Sequence, residues 1–447
     1  MQSSPSPDTS DSLSRTAYRK ITWHIVPILF ICYMLNYLDR INIGYAQLQM
    51  KQSLSFSDAI YGLGAGIFFI GYFIFEVPSN LALQKIGARK TLLRIMFCWG
   101  LVSVLTMFVT TPTQFYVARF FLGAFEAGFA PGILLYITFW YPPAKRAGVV
   151  SLLFLATVVA GIVGGPTSGW ILQNMDGVYG WQGWQWMFLL EGMPSCIFGV
   201  VAYFFLVDRP ADAHWLTAAE KALVASEIAS ASGPQTSAQT HLAREAFLDP
   251  KVYLLSFVLF TVLCGGYMLS FWLPTVIRGL GVTSLQQIGL YTMIPYAVGA
   301  IAMVLYGRHS DARAERRWHF AGAVLISALC LFVTTLTNHS LGLSLVFFAV
   351  ANAGIVSALP VFWAMSTSQL SLRSSVAGIA IITSCANLAG MVSPYAIGLI
   401  KTATGSFTNG LYAISALMVV GAVAVLLGIP GLSVPKRVPG AATAPNS

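Results

Sequence analysis

The sequence predicts an all-α membrane protein, with twelve transmembrane helices in two six-helix halves, and three observations carry that prediction. First, the chain is 56% hydrophobic and only 9% charged, with a mean hydropathy of +0.72; soluble domains carry roughly 25% charged residues, so most of this chain cannot face water. Second, apolar runs of the length needed to cross a hydrocarbon core, about 20 residues, recur along the chain. Third, the basic residues collect on one side of those runs.

Taken in order, the apolar runs fall at 21–45, 58–83, 91–110, 114–140, 147–172 and 185–207, then at 252–277, 284–306, 319–337, 341–364, 375–400 and 409–430. The implied organisation is a tail over 1–20, a six-helix half over 21–207, a polar linker over 208–250, a second six-helix half over 251–430 and a tail over 431–447. The first apolar run is too long for a cleavable signal peptide, so it reads as a retained span. Within the linker, the spacing of apolar residues over Thr217–Ser230 predicts a short amphipathic helix on the cytosolic face. Some forty residues cannot build a catalytic core unaided.

The charges test the count. With both termini in the cytosol, twenty of the 25 Lys and Arg residues lie inside, among them Arg15, Lys85, Arg89, Lys145, Arg244, Arg313, Arg373 and Lys436. Only Lys51, Arg278 and Lys401 lie outside, while Arg40 and Arg119 fall within spans. That asymmetry is the positive-inside pattern, and an odd number of spans would destroy it. The net charge of +9 therefore follows topology and does not call for nucleic acid.

The two halves repeat each other. Asn80-Leu-Ala-Leu-Gln84-Lys85-Ile-Gly87-Ala-Arg89-Lys90 follows the second span, and Gly307-Arg-His-Ser-Asp311-Ala-Arg313-Ala-Glu-Arg316-Arg317 follows the eighth. Spans four and ten end Phe139-Trp140 and Phe362-Trp363. Duplicated halves are an architecture of transporters, with the substrate site between the halves near the midplane. The loop motif resembles the signature of the major facilitator superfamily, where such loops latch the cytoplasmic ends of neighbouring helices. The second copy keeps Gly307 and Asp311, so the resemblance makes Asp311 a gating residue; the first has Asn80 and Gln84 where the family has a glycine and an acid.

Four further segments narrow the resemblance: Asn36-Tyr37-Leu-Asp39-Arg40, Phe75-Glu76-Val-Pro78-Ser-Asn80, Arg119-Phe-Phe-Leu-Gly123-Ala-Phe-Glu126-Ala-Gly128 and Trp186-Met-Phe-Leu-Leu-Glu191-Gly192. These are similar to the anion:cation symporter branch, and within it to bacterial permeases for tartrate, phthalate, 4-hydroxyphenylacetate and related carboxylates. A charge at mid-membrane costs at least ~2.5–3.5 kcal/mol, so Asp39, Arg40, Glu76, Arg119, Glu126 and Glu191 are functional candidates by default. Asp39 and Arg40 point about 100° apart on a helix and cannot serve one point. Opposite signs on spans one and four allow Arg–carboxylate pairing within the first half, and the bland alternative is a static ion network that sets packing.

Chemistry gives the set a purpose. An organic anion needs a fixed cation, and arginine offers a planar fork. A proton carrier needs a carboxylate whose partner can change. The resemblance implies Arg40 as ligand of the substrate carboxylate, Asp39 and Glu126 as proton carriers, and Arg119 as the residue coupling them. It also implies Tyr37 and Tyr72 as lining residues, with Asn387 contributing from the second half. Trp272 and Trp363 are candidates for stacking on an aromatic substrate, or simply interface residues. Glu76 and Glu191, near span ends, read as gating or capping residues. The glycines of Gly161-Ile-Val-Gly164-Gly165-Pro166, like the pairs Gly123/Ala127 and Gly128/Gly132, read as close helix packing; the first group also partly resembles a motif of exporters.

The expectation is a proton-coupled symporter importing a tartrate-like or aromatic carboxylate across a bacterial inner membrane, working as a monomer in the bilayer without cofactor or metal. Export of the same substrates, or sensing without transport, are the alternatives. No HExxH, GxSxG or paired-cysteine motif favours an enzyme, and the six cysteines stand apart from one another.

Overall fold

A computed structural model describes residues 7–231, 247–313, 315–337, 340–370 and 375–429. The 431–447 tail lies outside them, as do Arg244, Arg373, Lys436 and Arg437 of the charge argument. Among the described residues there are helices and no strands. The helices are α1 (Pro7–Ile41), α2 (Ile43–Ser53), α3 (Asp58–Ile86), α4 (Ala88–Leu105), α5 (Pro112–Glu126), α6 (Phe129–Thr138), α7 (Pro143–Asn174), α8 (Gly183–Phe205), α9 (Ala218–Ala231), α10 (Pro250–Gly279), α11 (Leu285–Arg313), α12 (Arg317–Thr334), α13 (Leu341–Gln369), α14 (Ser375–Asn387), α15 (Ala389–Thr404) and α16 (Thr408–Gly428). Among the described residues twelve spans are long and apolar enough to cross a membrane. Span 1 joins α1 to α2, span 4 joins α5 to α6, and span 11 joins α14 to α15; α9 is the linker helix.

Local sequence explains the span ends. Ser57 accepts the Ile60 amide, Thr111 and Gln114 form a capping box, and Ser340 accepts the Leu343 amide, so each outer turn keeps a partner for an orphan N–H. Prolines at 112, 143 and 250 open helices where no N–H is required. The expected spans are reproduced to within a few residues, except that helix extends well beyond the first apolar run. It begins at Pro7, inside the expected tail, and runs through Ser53. Ala17 and Tyr18 are already buried there, packing beneath the linker helix.

An even number of spans brings the described chain back to its starting face, called here the tail side. At the opposite, far side the two halves are tied together. Tyr45 meets Thr292 at 2.7 Å, the Tyr61 hydroxyl and Gln47 amide donate to the Phe271 carbonyl, and Asp58 binds Lys51 at 2.7 Å and Lys401 at 3.3 Å. Glycines let backbones touch at the same level: a Cβ at Gly289 would overlap the Gly165 carbonyl, and one at Gly62 the Pro394 carbonyl. The halves are sealed on the far side, and the space between them lies on the tail side of that seal.

The family-motif loops do not use their charges alike. Asp311 binds Arg316 of its own loop at 2.5 Å and stays largely exposed. In the first half, Gln84's side chain lies outside the described residues, and Asp208 from the end of span 6 supplies the carboxylate. It accepts the Arg89 amide at 3.0 Å, beside Gly87, whose φ of +87° suits glycine.

Candidate functional site

The central cavity, about 240 Å³, lies between the halves. Span 1 gives it Tyr37 and Arg40; α10 and α11 give Tyr267, Ser270 and Tyr296; α13 gives Asn352. Arg40 is the charged member of this wall. Its guanidinium lies 5.3 Å from the Phe68 ring centroid and 5.5 Å from that of Tyr72, an aromatic cradle that favours a cation.

Arg40 points two ways. Its Nε donates to Glu126 Oε1 at 3.1 Å, and Nη2 donates to the same oxygen. The Glu126 side chain is fully buried, whereas a fifth of Arg40's remains accessible, on the cavity side. The sequence places Glu126 there through a helix break. Helix α5 stops at Glu126, Ala127 turns to ψ 134°, Gly128 adopts φ +86°, and α6 restarts with Pro131 in its first turn. The glycine read as a packing residue is thus also the hinge that ends the helix. A carboxylate at a helix C-terminus faces the negative end of the dipole, an unfavourable position that Arg40 offsets.

Arg119 lies almost two turns earlier on α5, almost fully buried. Its Nε donates to the Gly64 carbonyl at 3.3 Å and its guanidinium stands 5.0 Å from the Phe68 centroid, but Nη1 and Nη2 meet no acceptor. The two arginines therefore flank one aromatic ring, and only Arg40 holds Glu126.

Asp39 faces the other way, into the first half. Four neutral donors surround it: Trp99 Nε1 at 2.8 Å and Ser195 Oγ at 2.8 Å on Oδ2, with Ser103 Oγ at 2.9 Å and Asn42 Nδ2 at 3.4 Å on Oδ1. Four donors fill the acceptor capacity of an ionised carboxylate. The residue holds spans 1, 3 and 6 together without an arginine.

The remaining candidates disperse. Tyr72 belongs to the arginine cradle. Asn387 is half-buried where span 11 breaks at Leu388, away from the cavity wall. Trp272 is fully buried in the far-side seal, edge-on to Tyr61 and Phe407, and Trp363 packs on Phe362; neither lines the cavity. Glu76 is half-buried towards the tail side. Glu191, expected near a span end, sits in the third turn of α8, buried and bonded to Ser168 at 2.7 Å. The lining residues Tyr267, Ser270, Tyr296 and Asn352 carry no charge and stood out from no motif. Among the described residues no cluster of His, Cys, Asp and Glu is placed to hold a metal ion.

Residues 29–394 match the family model described as Major Facilitator Superfamily. Three relatives align over nearly the whole chain. "Putative metabolite transport protein NicT" of Pseudomonas putida is 42% identical, covering 92% of this chain and 93% of the relative. "Putative tartrate transporter" of Agrobacterium vitis is 44% identical over 94% and 92%. "Quinolone resistance transporter" of Acinetobacter baumannii is 37% identical over 90% and 92%. A crystal structure of a bacterial homologue of the human lysosomal transporter Spinster superposes with a TM-score of 0.74 at 19% identity, over 90% of this chain and 96% of that one, a likeness of fold.

Proposed function

This chain belongs to the major facilitator superfamily, a membrane transporter and not an enzyme, and we propose that it imports a small organic carboxylate together with protons by alternating access. The observation that carries the reading is the double placement of Arg40, on the cavity wall and on a buried glutamate. A substrate carboxylate entering the cavity competes with Glu126 for one guanidinium. Losing Arg40 leaves Glu126 in a dry site where its charge is costly, so it takes a proton or turns to the free Nη groups of Arg119. Substrate and proton binding are thereby linked through one side chain.

Asp39 provides the second link. Protonating it turns an acceptor into a donor, so one of its four partners must let go. Those partners sit on spans 1, 3 and 6, and their rearrangement couples the proton to movement of the first half. Positive-inside topology puts the tail side in the cytosol of a bacterial cell. In that orientation the conformation described is closed outside, and the chain operates as a monomer. A cavity of about 240 Å³ suits a small acid better than a drug-sized molecule, whose pockets run ~300–1,000 Å³. The tartrate-named relative supports hydroxy acids, and the three cavity tyrosines support an aromatic acid.

Transport into proteoliposomes under an imposed pH gradient is the test. Acid outside drives uphill uptake in the wild type; Asp39→Asn and Glu126→Gln abolish it while substrate exchange at equal pH survives. Unchanged uphill uptake in both variants overturns the assignment. Proton entry coupled to substrate exit establishes export instead, the reading favoured by the quinolone-resistance relative. Saturable binding without flux in either direction establishes a sensor.

A further inference from the structure

The second half lines the cavity with three helical stripes. Segments 263–270 on α10, 296–303 on α11 and 352–359 on α13 each contribute positions i, i+3, i+4 and i+7, one face of a helix. Successive spans cross in opposite directions, and the stripes are ordered accordingly: Ser270 ends the one on α10, whereas Tyr296 and Asn352 begin those on α11 and α13. All three polar ends therefore come together at the far-side end of the cavity. There the Tyr296 hydroxyl donates to Ser270 Oγ at 3.4 Å, and Asn352 Nδ2 donates to the Pro295 carbonyl at 2.8 Å. The opposite ends, Leu263, Met303 and Leu359, are apolar and lie towards the tail side.

Arg40 enters between these ends. Gly44, four residues or about 6 Å further along span 1, rests against the Ser270 carbonyl, which an added Cβ would meet at 2.9 Å. The polar floor thus lies about one helical turn beyond Arg40. Between the two levels the stripes carry Gly266, Gly299 and Ala300, beside Tyr267, whose ring stacks on Phe271 at 6.0 Å and 19°. Small residues next to aromatic faces leave a slot for a flat body.

The wall is also short of charge. Among the described residues that line it, Arg40 alone is ionised at neutral pH, and Arg119 does not reach it. A second carboxylate in the cavity would meet hydroxyls, an amide whose Nδ2 is engaged with Pro295, or leucine and methionine side chains. None of these repays the loss of a carboxylate's water.

We infer that the cavity takes a flat monocarboxylate bearing one uncharged hydrogen-bonding group across from its acid, and that it discriminates against dicarboxylates. The acid sits on Arg40 and the neutral group among Ser270, Tyr296 and Asn352. A hydroxy-aromatic acid meets both requirements, whereas a tartrate-like diacid brings a second charge that no cation receives. The preference rests on the reading that Arg40 receives a substrate carboxylate, and selects aromatic acids over tartrate-like ones.

Titration calorimetry on the purified full-length protein in nanodiscs tests it with 4-hydroxybenzoate, benzoate, terephthalate and tartrate. Benzoate should bind roughly tenfold more weakly than 4-hydroxybenzoate, and the two dianions more weakly still. Terephthalate keeps the ring and puts a second carboxylate where the hydroxyl stood, so it isolates the charge. Terephthalate or tartrate binding as tightly as 4-hydroxybenzoate overturns the preference; if Arg40→Gln then abolishes that binding, the carboxylate reading survives alone. Saturable binding of none of the four, or affinities unaltered in Arg40→Gln, overturns both. Tyr296→Phe keeps the ring and removes a hydroxyl from the floor, so 4-hydroxybenzoate should lose most of its advantage over benzoate. An advantage absent from the wild type, or undiminished in both Tyr296→Phe and Ser270→Ala, overturns the placement of the neutral group.

Discussion

Arg40 and Glu126 meet with both Nε and Nη2 on one carboxylate oxygen, so Glu126 Oε2 is left without a donor. This is a one-oxygen grip, weaker and less directional than the two-oxygen fork arginine makes with a free carboxylate. The asymmetry of burial sets its direction of change, since Glu126 is sealed from the cavity and Arg40 is not.

A lysine at position 40 keeps the charge but loses the planar fork and most of the contact with Phe68 and Tyr72. We expect Arg40→Lys to weaken substrate binding roughly 10–100-fold, about 1.4–2.8 kcal/mol. Titration calorimetry with the acid identified by thermal-shift screening measures it, and wild-type affinity in the variant removes Arg40 from the substrate site.

Asp39 makes a different prediction, because its partners are donors. Asparagine directs an NH2 group at hydroxyls and an indole N–H that have no other acceptor among the described residues. Asp39→Asn is expected to destabilise the protein by about 1–3 kcal/mol, the cost of stranding buried donors, and to do so more than Glu126→Gln. Thermal unfolding of the two purified variants side by side provides the comparison; equal melting temperatures contradict the donor cage.

Much of this was legible in the chain because lipid makes sequence speak plainly. Twelve apolar runs and one-sided basic residues set the span count, and six intramembrane charges drew attention to Arg40 and Glu126, which the fold brings together. Charge type could not say which arginine holds Glu126, since Arg40 and Arg119 flank one phenyl ring and the choice depends on helix rotation. Nor could it find Tyr267, Tyr296 and Asn352, ordinary residues whose importance comes from facing the cavity. Trp272 was conspicuous for its size and yet fills the far-side seal. Asp208 lies 119 residues beyond Arg89 of the family-motif loop it serves, and no local pattern connects them.

The seal makes a steric prediction. Gly165 and Gly289 bring α7 and α11 into backbone contact, and a methyl group at Gly289 would strike the Gly165 carbonyl and the Gly169 backbone, neither of which is a flexible side-chain end. Gly289→Ala should prise the far-side contact apart and shift the population towards a state open on that side. Spin labels at the exposed Gln49-adjacent Ser53 and at Thr404, on either half, report the separation by electron paramagnetic resonance. A distance distribution identical to the unsubstituted protein defeats the prediction.

Docking of the linker helix is set by charges outside the bilayer. Lys20 donates to both Glu220 oxygens, at 2.8 and 3.0 Å, and Glu227 accepts from Ser14, Tyr18 and Lys145, each at 3.0 Å. Burial opposes each carboxylate's charge, but Lys20 with Thr217 outweighs it at Glu220, and Lys145 with Tyr18 and Ser14 outweighs it at Glu227, so both groups titrate below the ordinary 4.5. A carboxyl whose folded value is depressed stabilises the docked state above its unfolded value and loses that contribution as pH falls through the folded one. Helix α9 is therefore expected to stay docked at neutral pH and to release as pH drops below 4.5. Hydrogen exchange over 218–231, corrected for the intrinsic rate at each pH, follows the release. Glu220→Gln should reproduce part of it at neutral pH, and exchange that is as slow at low pH as at neutral pH would mean that apolar packing, not these carboxylates, holds the helix.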